Sequence, residues 1–129
     1  MQDISQALAA IPRQPLGFFP TPLHHLANFS RALSGPQIYI KRDDLTGLAL
    51  GGNKTRKLEY LMADAVAQGC DCIITAGAVQ SNHCRQTAAA AARLNMPCHL
   101  LLGGEAPSHA NGNLLLDSIL GSHIHWQGE

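Results

Sequence analysis

Cys72-Ile-Ile-Thr-Ala-Gly-Ala-Val-Gln-Ser-Asn-His-Cys-Arg-Gln-Thr-Ala-Ala-Ala-Ala-Ala-Arg-Leu-Asn-Met-Pro-Cys-His-Leu-Leu-Leu102 decides the fold. Cys72–Ala76 is a short apolar run ended by Gly77 and reads as a buried strand. Ser81 or Asn82 is placed to cap an alanine-rich helix running to Leu94, which Asn95 and Pro97 stop. Cys98–Leu102 repeats the buried-strand pattern. Strand, helix and strand in this order predict a parallel pair joined by a crossover helix.

The pattern extends in both directions. Upstream, Leu58, Leu61, Met62 and Ala65 recur at helical spacing, and Gly69 stands where a helix C-terminal glycine belongs. Downstream, Gly103–Gly112 is a polar loop, Asn113 is placed to cap a helix over Leu114–Leu120 closed by Gly121, and His123–Trp126 reads as a third strand. The expectation is a three-layer α/β unit with strands near 72–76, 98–102 and 123–126. Before it lie 36 residues with prolines at 12, 15, 20, 22 and 36, a short helix within Met1–Ala10, a helical turn at Asn28–Leu33, and an alternating strand at Gln37–Lys41 assigned to a different sheet.

Composition bounds the function. The chain has 129 residues, 46% of them apolar and only 14% charged, against about 25% charged in ordinary soluble domains. So little charge on so short a chain predicts surface that meets more protein. Nine basic residues balance nine acidic ones, which excludes the basic footprint of a nucleic-acid binder. No signal peptide or membrane span is legible, so the expected compartment is the cytoplasm and the cysteines are read as reduced thiols.

Two loops before helices carry the chemistry. In Gly51-Gly-Asn-Lys-Thr55 the glycines allow close backbone approach to a ligand, and Lys54 falls at a helix start. The positive helix end and a second cation, Arg56 or Lys57, both favour a neutral, nucleophilic amine. Gly47, Lys54 and Thr55 nearly fit a phosphate-binding Walker loop, but Asn53 breaks the Gly-Lys-Thr triplet. In Thr75–His83 the strand end, Ser81, Asn82 and free backbone N–H groups make an anion cradle. Ordinary helix capping uses the same residue types at both places. A reactive lysine beside a carboxylate cradle is what amino-acid chemistry through a Schiff base requires.

Gly51–Leu61 and Ala76–Ala88, supported by Pro20-Thr-Pro-Leu23, Lys41-Arg-Asp-Asp44 and the Gly112–Gly121 stretch, resemble the D-cysteine desulfhydrase and 1-aminocyclopropane-1-carboxylate deaminase family. The resemblance runs from about Phe18 onward. It implies a pyridoxal 5'-phosphate enzyme of the tryptophan-synthase-β fold type, with residues 1–45 belonging to a larger cofactor domain and 46–129 to a smaller α/β substrate-side domain. Lys54 resembles the lysine that bonds the cofactor aldehyde, and Asn82 the asparagine beside the pyridoxal ring hydroxyl. Ser81 resembles the serine near the substrate carboxylate, sometimes given a proton-relay role. Lys57 is assigned to the cofactor phosphate, and His83 to the substrate side together with Ser81 and Asn82. The implied reaction is β-elimination of D-cysteine to pyruvate, sulfide and ammonia, on a homodimer when the chain is complete. The alternatives are 1-aminocyclopropane-1-carboxylate deamination and a catalytically incomplete fragment or interaction remnant. Ser-Asn-His-Cys at 81–84 is closer to the desulfhydrase than to the deaminase's Ser-Asn-Gln. Family members run well over twice this length. Their phosphate cup, pyridine-nitrogen contact and tyrosine-bearing substrate wall have no counterpart in these residues, so the chain reads as an N-terminal portion.

The remaining candidates are assigned to structure. Cys72 and Cys98 are expected as buried strand thiols rather than, with Cys70, Cys84 and His83, a zinc site. His24, His25, His123 and His125 are read as surface or strand-end residues, Asp43 and Asp44 as loop-ordering carboxylates, and Arg85 and Arg93 as the solvated face of their helix.

Overall fold

The computed structural model describes residues 4–128. Its elements are α1 (Ile4–Ala9), β1 (Leu23–His25), α2 (Ala27–Ala32), β2 (Tyr39–Lys41), α3 (Thr55–Ala67), β3 (Ile73–Ala78), α4 (Asn82–Arg93), β4 (Cys98–Gly103), α5 (Gly112–Ile119) and β5 (His123–Gln127), with 3-10 turns at Asp43–Leu45 and Leu48–Leu50. The first three residues of the helix expected within Met1–Ala10 lie outside the described residues.

β3, β4 and β5 form a parallel sheet in that order, with Ile73 opposite Cys98 and His99 opposite His123. β1 and β2 form a separate antiparallel pair, with Leu23 opposite Lys41. Both arrangements match the sequence expectation. Each long helix ends as its sequence predicts. Gly69, Asn95 and Gly121 adopt positive φ, and paired backbone bonds such as Cys70 N–H to Ala65 O and Gly69 N–H to Val66 O close the last turn.

The sheet's two faces differ. Cys98, Leu100 and Leu102 of β4 point to one side, where Cys84, Ala88 and Ala91 of α4 and Leu114 of α5 cover them, with Ile124 and Trp126 completing the cluster. A second cluster joins Leu58 and Met62 of α3, Ala89 and Ala90 of α4, Leu48 and Leu16. The four alanines at 88–91 are all buried and let α4 approach its neighbours closely. α4 is the central helix: it touches β3, β4, α3 and α5.

The opposite face is bare among the described residues. Ile74 is 66% exposed, and Ala76, Ala78, His123 and His125 also face outward. The expected three layers are therefore two. A continuous apolar run signals a strand covered on both sides, but β3 alternates half-buried with exposed positions, because α4 and α5 cross on the same side. Cys72, read as a buried strand residue, is half-buried and precedes β3, while Cys98 is buried as expected.

Candidate active site

The loop from Thr46 to Lys54 is the least regular backbone in the molecule. Gly47, Ala49, Leu50, Gly51 and Gly52 all have positive φ, and Ala49 and Leu50 do so with a side chain. Each such non-glycine residue costs on the order of 1–3 kcal/mol, so the surroundings must hold the path. They do so from several directions. Thr46 Oγ1 accepts from Gly52 N–H at 3.0 Å and lies 3.0 Å from Thr55 Oγ1. Gln86 Oε1 on α4 accepts from Thr55 N–H at 3.0 Å and from Thr55 Oγ1 at 2.8 Å. Arg85 donates to the carbonyls of Ala49 and Gly51, the latter at 3.0 Å. A methyl group at Gly51 would stand 2.0 Å from Asp44 O, and one at Gly52 2.4 Å from Gln86 Nε2. At Gly51 the obstacle is backbone, so no side chain larger than hydrogen fits, and at Gly52 a side chain would be strained by a φ of +139° and would push the Gln86 amide aside.

Arg85 corrects the sequence reading. Expected on a solvated face, it is 6% exposed and turned toward the loop. Arg93 is exposed, as expected, and binds Leu16 O at 3.0 Å. The carboxylate pair behaves as expected too. Asp43 accepts from Arg56 and Thr21, which hold its carboxyl down at about 2, and Asp44 pairs with Arg42. Arg56, so engaged, is not the free second cation near Lys54; Lys57 is left in that role.

The turn before α4 combines a local cap with bonds to distant segments. Ser81 is the N-cap, its Oγ accepting from Cys84 N–H at 3.2 Å. The first amides of a helix have no intrahelical partner, which leaves those of Asn82 and His83 as donors at the helix's positive end. Gly77 lies against this turn, where a methyl group would stand 2.7 Å from Ser81 Oγ. Gln80 connects it to α5: its Oε1 accepts from Asn113 N–H at 2.9 Å, and its backbone carbonyl accepts from Asn113 Nδ2 at 2.8 Å. Asn113 is therefore not the α5 cap. The helix starts two residues earlier than expected, at Gly112 after Asn111, and Asn113 is drawn to Gln80 instead.

The two loops meet. Asn82 Nδ2 donates to Asn53 Oδ1 at 3.1 Å, bridging the starts of α3 and α4. Lys54 is half-buried at the α3 N-cap; its carbonyl accepts from Leu58 N–H at 3.0 Å, while its side-chain amine makes no hydrogen bond or ion pair with any described residue. His83 lies between Thr75 Oγ1 at 3.1 Å and Thr87 Oγ1 at 3.4 Å. Burial lowers its pKa from 6.5, and the charges of Lys57 and Lys54 lower it further, which keeps the ring neutral at pH 7. Lys54, Lys57, Asn82 and His83 thus share one neighbourhood. The Ser81 hydroxyl is engaged by its own helix. Arg85, Gln86 and Thr46 were not singled out from sequence as site residues. The available signal was a helix with almost no charge on any side, which marks a helix buried all round.

The donor set suits a cofactor bearing an aldehyde and an anionic group. It offers a free primary amine, a side-chain amide, helix-start N–H groups and a glycine path with no room for a Cβ. Known proteins agree. A family model described as "Pyridoxal-phosphate dependent enzyme" matches residues 15–129. A D-cysteine desulfhydrase of Serratia proteamaculans (strain 568) is 48% identical over 127 residues, covering 95% of this chain and 38% of that protein. Another from Salmonella paratyphi B is 52% identical over 122 residues, covering 91% and 37%. The crystal structure of an ACC deaminase homologue superposes with a TM-score of 0.89 at 46% identity, covering 98% of this chain and 38% of the other. A pyridoxal 5'-phosphate-dependent aspartate racemase, at 20% identity and a TM-score of 0.64, shares the fold. The chain spans under two fifths of the length of these relatives. With a lysine-bearing glycine loop, a parallel sheet and this match, the chain belongs to the pyridoxal-phosphate-dependent enzyme family.

Proposed function

We propose that this chain carries the lysine-bearing part of a lyase that eliminates sulfide from D-cysteine, the remaining enamine then taking up one water to give pyruvate and ammonia. The observation that carries the reading is the free Lys54 amine next to the Asn53–Asn82 bridge. In this reading residues 1–45 belong to the larger cofactor domain and 46–129 to the smaller substrate-side one, and the enzyme is a cytoplasmic homodimer.

Each residue then has a task. Lys54 holds the cofactor through its aldehyde carbon, and Asn82 gives its amide to the ring hydroxyl. Lys57, exposed one turn along α3, contributes a phosphate contact. Ser81 and the free amides of Asn82 and His83 bind the substrate carboxylate. When bound, the cofactor ring stores the electron pair left at the α-carbon. Lys54 Nζ, once free of the aldehyde, would be the base that takes the α-proton of the substrate. His83, neutral and bonded to two threonines, forms an uncharged wall on the substrate side.

Deamination of 1-aminocyclopropane-1-carboxylate is the second reading, favoured by the structural match to an ACC deaminase homologue. A chimera decides between them. This chain is joined to the remaining C-terminal portion of the Serratia desulfhydrase and assayed with both substrates. Sulfide release from D-cysteine that is lost in Lys54→Ala supports the proposal. Turnover of the cyclopropane substrate alone establishes the deaminase, and undiminished activity in Lys54→Ala rejects both assignments.

A further inference from the structure

Arg85 is a buried cation with no carboxylate hydrogen-bonded to it, although the buried Asp117 carboxylate acts on its charge from a longer distance. Its two hydrogen-bonding partners are backbone carbonyls, those of Ala49 and Gly51, and its Nε has none among the described residues. Burying a guanidinium this way is costly unless its donors are used. A helix that only needed to pack here would be served better by another alanine, as at the next four core positions, 88–91. The two carbonyls it holds flank Leu50, and the segment contains the two strained non-glycine residues, Ala49 and Leu50. Three residues beyond Gly51 stands Lys54. The neighbouring Gln86 acts on the same loop from the other side: its Oε1 takes Thr55 N–H, and its Nε2 donates to Asn82 O at 3.1 Å.

We propose that Arg85 is a positioning residue for Lys54: by gripping Ala49 O and Gly51 O it holds the strained loop and fixes where the lysine emerges beside Asn82. The planar fork reaches two carbonyls at once, which an ammonium cannot do. The inference rests on the reading of Lys54 as the cofactor-holding lysine.

The test uses the 129-residue chain as wild type, Arg85→Lys and Arg85→Met. Each is treated with pyridoxal phosphate and borohydride, and the pyridoxyl label is mapped by mass spectrometry as the ratio of Lys54 to Lys57. Hydrogen exchange of the Gly51–Asn53 and Leu100–Leu102 amides is followed alongside. Wild type is expected to favour Lys54. Arg85→Met should cut the ratio roughly tenfold, as losing a charge-assisted hydrogen bond does. Exchange at Gly51–Asn53 should quicken while the β4 amides stay protected. Arg85→Lys should fall between. A general structural role would speed exchange in both segments together, and that outcome in both variants overturns the proposal. A wild-type ratio kept in Arg85→Met overturns the clamp and leaves Lys54 standing. Absence of Lys54 preference in wild type overturns the Lys54 reading and the clamp with it. Should Arg85→Met fail to fold, a wild-type ratio in Arg85→Lys still overturns the two-carbonyl grip.

Discussion

The two loops that meet at the candidate site differ in what fixes their backbone path. The turn at Gly77–Asn82 has a local cap, with Ser81 accepting from Cys84 N–H and Gly77 leaving room for both. Its distant bonds, from Gln80 to Asn111 and Asn113 and from Asn82 to Asn53, are made by the turn's own side chains. The loop at Thr46–Lys54 is held by α4 residues more than thirty positions away, Arg85 and Gln86, acting on Gly51 and Thr55. A local cap sets the start of α4 from a few residues, and Gln80 ties it to α5. Distant wiring holds a backbone path that the loop's own residues would not choose, and Lys54 emerges from that path. The lysine's placement is thus a property of the packed fold rather than of its own motif.

Removing the steric basis of the Thr46–Lys54 path should have the largest effect. Gly51→Ala adds a methyl against Asp44 O at a φ of +74°. It is expected to cost about 3–5 kcal/mol, seen as a lost or much lowered melting transition. A tolerated alanine would mean that the loop is free to take another path.

A pH effect comes next, from beneath the locally capped turn. Asp117 on α5 is fully buried, its carboxylate has no hydrogen-bond partner among the described residues, and burial raises its pKa from 3.8 to about 6. A folded pKa above the unfolded one means that this group's contribution is complete below about pH 4 and fades as pH rises to 6. It should therefore weaken the fold by about 2–3 kcal/mol between those values. Denaturation across that range should show the slope in wild type and its loss in Asp117→Asn. An equal slope in the variant would assign it to another group.

The two smallest effects separate the loops. Gln86→Leu leaves the buried Thr55 N–H without its acceptor and should cost about 1–3 kcal/mol, with faster exchange at Gly52–Thr55. Ser81→Ala removes a cap and should cost about 1 kcal/mol, with exchange changing at Cys84 and not at Gly52. If both variants disturb both loops equally, the distinction between local cap and distant wiring fails.

The same distinction explains what the sequence revealed. β3, α4, β4, α5 and β5 were legible because periodicity, caps and C-terminal glycines are local signals. The Gly-Gly-Asn-Lys and Ser-Asn motifs were legible for the same reason, and they pointed to one cleft through helix starts on a shared sheet. Arg85 was misread because an arginine on a helix is ordinarily solvated. Its burial depends on α4 being enclosed by α3, α5, the sheet and the loop together. Asn113 was misread as a cap because asparagine favours caps, and only the folded chain brings Gln80 to compete for it. The bare sheet face was illegible because an apolar run reports neither how many sides are covered nor which side the crossovers take. No helix of the described residues is long and apolar enough to cross a membrane.

The central claim is that the distant wiring presents Lys54, out of the chain's three lysines, to the cofactor. Wild-type chain is incubated with pyridoxal phosphate, reduced with borohydride, digested and mapped. The account predicts the pyridoxyl group predominantly on Lys54, with Lys41 and Lys57 labelled no more than in the denatured chain. A label concentrated on Lys57, or spread evenly over the three, would contradict it.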